Sequence, residues 1–113
     1  MLRIACLLIC LWLPSVTVAA ERAALVIGNS EYSELPDPAL AASDAEAVAN
    51  VLRNLGHDVT LLQNANRSEM TRAFADFAQR HSDATLRTIF YAGHSAFVNG
   101  RTYLLPVDSA ARA

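Results

Sequence analysis

The sequence contains no lysine, and its two cysteines, Cys6 and Cys10, both lie within the first ten residues. All nine basic side chains are arginines, which are scattered among eleven acidic residues, and the net charge is −2. This distribution has no basic patch, so it does not indicate a nucleic-acid partner. A chain of 113 residues is one small domain at most.

The first twenty residues have the composition of a secretory signal. Arg3 precedes an apolar block, Pro14 interrupts that block, and the segment ends in the small residues 18–20. This order predicts a signal peptide at residues 1–20, cleavage after Ala20 and export to the periplasm or the medium. A membrane anchor is the alternative, but the apolar run is about ten residues, roughly half of the ~20 that a spanning helix needs. Cleavage would remove both cysteines, leaving residues 21–113 without a disulfide or a thiol nucleophile.

The remaining residues predict an α/β domain. Residues 23–27 form a continuous apolar run that ends at Gly28, which is typical of a strand buried on both faces of a parallel sheet. We expect further strands at 58–62 and 85–91, a helix at 43–55 with a capping box formed by Ser43 and Glu46, and a helix at 66–81 capped by Asn66. Alternating strands and helices favour a parallel sheet of order 2-1-3 with helices on both faces. The Asn-Gly pair at 99–100 predicts a β-hairpin after the third strand.

Two loops are candidate sites, because ligands bind at the carboxyl ends of strands in open parallel sheets. They are residues 28–30 after the first strand and residues 93–95 after the third. His94 is well placed to act as a general base or acid, although a loop histidine without a chemical role is the alternative. Ser95 also invites comparison with the Gly-x-Ser-x-Gly nucleophile elbow, but Phe97 occupies the last position and no helix follows.

The other histidines have simpler interpretations. His57 follows Gly56 and is expected in an exposed turn, while His81 is expected at a helix C-terminus, where a cationic ring suits the dipole. The spacing of the three histidines is not that of metal ligands, so we expect no metal site. Gly28 alone is not a dinucleotide fingerprint, and we expect no cofactor.

Several motifs in order resemble the bacterial caspase-like (metacaspase-related) cysteine peptidase domains. The resemblance covers essentially all of residues 21–113 and consists of Ala24-Leu25-Val26-Ile27-Gly28-Asn29-Ser30, Tyr32, Leu35-Pro36, Ser43-Asp44-Ala45, Leu55-Gly56, Phe90-Tyr91-Ala92-Gly93-His94, Asn99-Gly100 and Tyr103-Leu104-Leu105-Pro106-Val107-Asp108.

The resemblance implies a caspase-like three-layer sandwich, here its N-terminal part, and peptide hydrolysis by a Cys–His dyad. The family's histidine falls on His94, and the backbone N–H that helps to bind the oxyanion falls on Ser95. The aspartate that lines a pocket for basic substrate residues falls on Asp44, although an acid at the first position of a helix is also favoured by the dipole alone. The family usually has glycine directly after the histidine, so Ser95 is a departure that adds bulk and restricts the backbone.

The second departure concerns the nucleophile. In caspases the cysteine follows the histidine by about 50 residues, and no cysteine follows His94 in this sequence. We therefore expect the chain to carry the histidine half of the dyad and to be inactive alone, as part of a peptidase that acts on peptides or proteins once it is completed. The alternative is a non-catalytic pseudo-peptidase module that binds a partner or self-associates through an exposed sheet edge; a serine hydrolase using Ser95 is a further alternative.

Overall fold

The computed structural model describes residues 21–110 together with Leu13 and Pro14. The rest of the predicted signal peptide, including both cysteines, lies outside the described residues. The elements are β1 (Arg22–Gly28), α1 (Ala41–Asn54), β2 (Asp58–Gln63), α2 (Arg67–Arg80), β3 (Leu86–Ala92), β4 (Ser95–Val98) and β5 (Arg101–Leu104). Within the described part of the chain, none of the helices has the length and apolar character to cross a membrane.

The first three strands form a parallel sheet of order β2-β1-β3, which confirms the predicted order. The last two strands form an antiparallel hairpin. Its turn residues, Asn99 and Gly100, have φ of 50° and 76°, as a tight hairpin turn requires. The predicted α/β arrangement of a parallel sheet followed by a β-hairpin is therefore confirmed.

The central strand β1 is buried on both faces. Its side chains alternate, so that Leu25 and Ile27 pack on one face with Met70 and Phe77 of α2. On the other face, Ala24 and Val26 pack with Ala45 and Ala49 of α1. This double burial explains the unbroken apolar run, because neither face of the strand contacts water. Full burial of each large aliphatic side chain contributes roughly 1.5–3 kcal/mol.

Helix α1 begins two residues earlier than the sequence predicts, and the predicted capping box is wrong. Ser43 lies inside the first turn, where its hydroxyl donates to the Leu40 carbonyl at 3.0 Å. Leu40 occupies the N-cap position without a side-chain cap. The Ser30 hydroxyl instead accepts a hydrogen bond from the Ala42 N–H at 2.8 Å. A side chain from the loop after β1 thus satisfies a free donor at the start of the helix, and no local cap is needed.

Helix α2 begins where the sequence predicts. Asn66 Oδ1 accepts from the Glu69 N–H at 2.8 Å, which confirms the cap. Asp108 Oδ1 also accepts from the Arg67 N–H, at 2.9 Å. The segment after the hairpin therefore folds back onto the start of α2, and the Val107 N–H donates to the Ala65 carbonyl at 2.9 Å.

Candidate active site

The two predicted loops lie side by side at the carboxyl edge of the sheet. The Asn29 N–H donates to the Ala92 carbonyl at 2.8 Å, so the ends of β1 and β3 are joined directly. His94 follows β3 after one glycine, and Ser95 is the first residue of β4. The histidine therefore lies where parallel α/β sheets place their sites.

The imidazole of His94 is held by two residues of the loop between β1 and α1. Nε2 lies within hydrogen-bonding distance of the Pro36 carbonyl oxygen. The ring also meets the Tyr32 ring edge-on, with 4.6 Å between the centroids. Because a carbonyl can only accept, Nε2 carries the proton, and Nδ1 of the neutral ring presents its lone pair. That tautomer has a free position at which to take up a proton.

The main chain of His94 is fixed as firmly as its ring. Its N–H donates to the Tyr32 hydroxyl at 2.8 Å. Its carbonyl accepts from the Tyr91 hydroxyl at 2.6 Å and from the Leu105 N–H at 3.0 Å. The Tyr32 hydroxyl donates onward to the Leu105 carbonyl at 2.8 Å. Each hydroxyl proton thus has an acceptor, and the closed network sets the direction in which the imidazole leaves the backbone.

Tyr91 is a hydrogen-bond donor throughout the neutral range. Burial raises the pKa of its hydroxyl well above the usual value, and the neighbouring Tyr32 hydroxyl raises it further. A phenol that stays protonated can hold the His94 carbonyl without introducing a charge beside the imidazole.

The position before the histidine requires glycine. A Cβ on Gly93 would lie 2.6 Å from the Tyr91 hydroxyl oxygen and 2.8 Å from that of Tyr32. Its φ of +155° also lies in a region that favours glycine. The hydroxyls of Tyr32 and Tyr91 can therefore both approach the His94 backbone only because residue 93 is a glycine.

Asparagines hold the surrounding loops. Asn29 is fully buried, and its Oδ1 accepts from the Ala65 N–H at 2.9 Å. Asn64, with φ of 52°, accepts from the Ser30 and Glu31 N–H groups at 2.9 and 3.0 Å. These bonds join the loops after β1 and β2. They also fix the start of the loop that places Tyr32 beside His94.

The loop between β1 and α1 is tied at two further points. The Tyr32 N–H donates to Asp37 Oδ1 at 2.9 Å. The Ser33 N–H donates to the Val107 carbonyl at 3.0 Å. Pro36 lies between the anchored residues Ser33 and Asp37. The two anchors therefore hold the segment whose carbonyl faces the His94 ring.

Ser95 is exposed and follows His94 directly in the chain. In the hairpin, Ser95 pairs with Leu104, and the Leu105 N–H bonds to the His94 carbonyl. Hydrogen-bonded and non-bonded pairs alternate along an antiparallel ladder, so the Ser95 N–H points away from β5. The geometry leaves this donor available at the outer side of β4.

Asp44 is the fourth residue of α1, not the first as the sequence suggests, because the helix starts at Ala41. Its side chain is exposed, and it forms no hydrogen bond to His94 or Ser95 within residues 21–110. Helix α1 does begin close to the carboxyl edge, since the Ala41 carbonyl oxygen is 2.7 Å from a Cβ built on Gly28.

The other two histidines lie away from this edge. His57 was expected in an exposed turn, which is wrong: the residue is half-buried, and its buried Nδ1 has no hydrogen-bond partner among residues 21–110. The helix C-terminal position of His81 is confirmed, but the side chain is buried and its Nδ1 lies 2.8 Å from Glu21 Oε1. The sequence did not anticipate the burial of either ring or the contact between His81 and Glu21.

Sequence reasoning located His94 but missed the residues that hold it. Tyr32 and Tyr91 are separated by 59 residues, and their hydroxyls are 3.2 Å apart. One signal was available: each tyrosine lies in or next to a loop that sequence reasoning assigned to the carboxyl edge, where a buried hydroxyl needs a partner.

Comparisons with known proteins agree with the geometry. The family model of Peptidase_C14, the caspase domain, matches residues 21–113. The human mucosa-associated lymphoid tissue lymphoma translocation protein 1 is 30% identical over 92 residues, which is 81% of this chain and 11% of the human protein. The mouse homolog matches with the same identity and coverage. The chain thus spans about a tenth of the length of these curated relatives.

Proposed function

Because this chain belongs to the family of caspase-domain peptidases, we propose that it supplies the histidine half of a Cys–His endopeptidase site. The observation that carries the proposal is the orientation of His94. Its Nε2 faces the Pro36 carbonyl, and within the described part of the chain its Nδ1 has no hydrogen-bond partner at the carboxyl edge of the sheet. A fixed imidazole with one unprotonated nitrogen is what activation of a thiol requires.

In this proposal, Nδ1 of His94 accepts the proton of a cysteine thiol, and the thiolate attacks the scissile carbonyl carbon. The Pro36 carbonyl then stabilises the imidazolium through the Nε2 proton. The Ser95 N–H donates to the oxyanion of the tetrahedral intermediate. Collapse of that intermediate breaks the C–N bond, and the proton on Nδ1 passes to the leaving amine. Water, deprotonated by the same nitrogen, releases the acyl group from sulfur.

The described part of the chain contains no cysteine, so the nucleophile in this proposal comes from polypeptide outside residues 21–110. The chain alone is therefore expected to be inactive. Asp44 would serve a pocket for basic substrate residues, which is supported by its exposed carboxylate in the first turn of a helix that starts at the carboxyl edge.

The test compares the chain alone with the chain extended by whatever its gene encodes after Ala113. Hydrolysis of fluorogenic peptides with arginine or an apolar residue before the cleaved bond is measured for both. We expect no turnover by the chain alone, turnover by a cysteine-containing extended form, and its loss in His94→Gln. Turnover by the chain alone that survives His94→Gln but disappears in Ser95→Ala would contradict the proposal and favour a serine hydrolase.

Long-range ¹H–¹⁵N correlation spectra of the chain alone show which nitrogen of the His94 ring carries the proton. The proposal requires that the neutral His94 ring be protonated at Nε2. A ring protonated at Nδ1 would remove the position that accepts the thiol proton.

A partner-binding module is the second candidate, favoured by apolar side chains on β3 and on the hairpin. The more exposed of these are Leu86, Ile89, Phe97, Val98 and Tyr103, and Phe97 is 74% exposed. Strand β3 is also an outer strand of the described sheet, and free edges recruit further strands. Light scattering after size exclusion distinguishes a self-associating chain from a monomer. Phe97→Ser is expected to reduce association without unfolding the core.

A further inference from the structure

Three ionisable side chains meet at the amino edge of the sheet, opposite His94. Glu21 directly precedes β1, Asp58 is the first residue of β2, and His81 ends α2. One ligand atom from each lies within 4.8 Å of the other two. None of these residues takes part in the site at the carboxyl edge.

The His81 ring is almost completely buried, but only one of its two nitrogens has a hydrogen-bond partner in the described part of the chain. The residue is 3% exposed. Its Nδ1 lies 2.8 Å from Glu21 Oε1, and since an ionised carboxylate only accepts, Nδ1 carries the proton. Nε2 has no hydrogen-bond partner within residues 21–110. It faces Asp58 Oδ2 at 3.9 Å.

Nε2 of His81 and the Asp58 carboxylate face each other across a gap at this edge of the sheet. In the neutral ring, Nε2 presents a lone pair toward a negatively charged oxygen. A separation of 3.9 Å is too long for a hydrogen bond. Two ligands of one tetrahedral zinc ion lie about 3.4 Å apart, so the exposed Asp58 side chain has to move toward the ring by about half an ångström to share an ion with it. We propose that Nε2 of His81 and the carboxylate of Asp58 bind a zinc ion, with Glu21 orienting the imidazole through Nδ1.

The chemistry of the ligands selects zinc over the harder cations. An imidazole nitrogen paired with carboxylate oxygen suits Zn²⁺, whereas Ca²⁺ and Mg²⁺ prefer sets made wholly of oxygen. The Glu21 carboxylate on the far nitrogen of the ring is the outer partner that metal-bound histidines usually have. The carboxyl end of α2 adds the negative end of a helix dipole.

Asp58 keeps the site open to solvent, because its side chain is 59% exposed while that of His81 is 4% exposed. The remaining coordination positions would be taken by water. The expectation of no metal rested on the spacing between histidines. The two ligands proposed here and their outer partner Glu21 come from three segments of the chain, which no spacing rule relates.

The test uses the full chain, stripped with a chelator and titrated with ZnCl₂ at neutral pH. Calorimetry gives the affinity, and circular dichroism gives the Tm. We expect Tm to rise by about 4–8 °C once zinc exceeds its Kd several-fold. The ¹⁵N resonance of His81 Nε2 should shift on binding, while Nδ1 remains protonated.

Conservative variants separate the ligands from their surroundings. Asp58→Asn removes a ligand at an exposed position and should weaken binding at least about tenfold. Glu21→Gln should weaken it about 10–100-fold, as loss of an outer partner does. Asp83→Asn, an exposed acid two residues after His81, is the matched control and should bind like the parent.

His94→Gln tests whether zinc binds at the other edge, and it should leave affinity unchanged. If zinc shifts neither Tm nor the Nε2 resonance, His81 is an ion-pair partner only and the proposal is wrong. It is equally wrong if Asp58→Asn and Glu21→Gln bind zinc as the parent does, or if His94→Gln abolishes binding. None of these results depends on peptidase activity.

Discussion

The Tyr32 hydroxyl is the centre of the network that holds His94, and Tyr32→Phe removes it alone. The residue is 8% exposed, so the phenylalanine ring fills the same space and keeps the edge contact with the imidazole. What is lost is an acceptor for the His94 N–H at 2.8 Å and a donor to the Leu105 carbonyl at 2.8 Å.

The two losses are unequal. The Leu105 carbonyl keeps a second donor, because Nδ2 of Asn29 lies 3.4 Å from it, whereas the single proton of the Tyr91 hydroxyl is already donated to the His94 carbonyl. The His94 N–H has no second acceptor among the contacts in the described part of the chain, and an unsatisfied buried donor costs about 1–3 kcal/mol. We therefore expect Tyr32→Phe to lower the free energy of unfolding by about 2 kcal/mol. With an m-value near 1.5 kcal/mol/M, the urea midpoint would fall by roughly 1.3 M.

Tyr103→Phe is the matched control, because Tyr103 is 49% exposed. Its free energy of unfolding should stay within about 0.5 kcal/mol of the parent. Urea unfolding followed by circular dichroism measures both variants. If Tyr32→Phe and Tyr103→Phe unfold at the same urea concentration, the hydroxyl network does not hold the His94 backbone, and the argument for a pre-oriented imidazole fails.

Three further predictions concern contacts around the candidate site, and a fourth concerns the sequence of residues 1–20. Gly93→Ala should cost more stability in urea than Gly56→Ala, because a Cβ meets two hydroxyls at Gly93 and nothing within 4 Å at Gly56; an equal cost would contradict the steric argument. Asn29→Ala should cost about 2–4 kcal/mol in the same assay, since it leaves a cavity and an unsatisfied Ala65 N–H. The folded-state pKa of Tyr91 is raised, so its contribution to stability is complete below about pH 10 and is lost as the pH rises toward the folded-state value; Tyr91→Phe should flatten the fall in stability above pH 10. Residues 1–20 should direct export, so the secreted or periplasmic protein should begin after Ala20 by N-terminal sequencing, and an unprocessed cytoplasmic chain would contradict this.

The sheet could be predicted because its signals are local. The apolar run of β1 is continuous since both faces are covered, and Gly28 ends it where a Cβ would meet Ala45 at 2.5 Å. The turn at Asn99 and Gly100 needs two positive φ values, which these residue types tolerate. Each of these features depends on residues that are neighbours in the sequence, so the sequence alone is sufficient to predict it.

The start of α1 shows where local reading fails. Ser43 and Glu46 have the spacing of a capping box, yet Ser30 supplies the side-chain oxygen from across the loop. A cap from 12 residues away competes with a local one whenever tertiary packing brings it close. The helix therefore begins two residues earlier, and Asp44 lies deeper in its first turn than the sequence suggested.

The candidate site was half predictable for the same reason. The rule for parallel sheets places His94 at the carboxyl edge from sequence alone. The partners of His94 cannot be found that way, because Tyr32 and Leu105 are 73 residues apart and no periodicity relates them. The same holds for His81 and Glu21, which are 60 residues apart. Long-range hydrogen bonds between single polar residues leave no pattern in the chain.

The structure also separates two effects of Ser95 that the sequence combined. A serine in place of glycine can restrict the backbone or add bulk. Among the described non-glycine residues, positive φ occurs at Asn64 and Asn99, so Ser95 lies in ordinary strand geometry that any residue adopts. Its N–H points away from β5 as a glycine's would, because the ladder and not the side chain sets that direction. In the proposed peptidase, any penalty that Ser95 imposes on catalysis would therefore arise from its exposed hydroxymethyl group and not from its backbone.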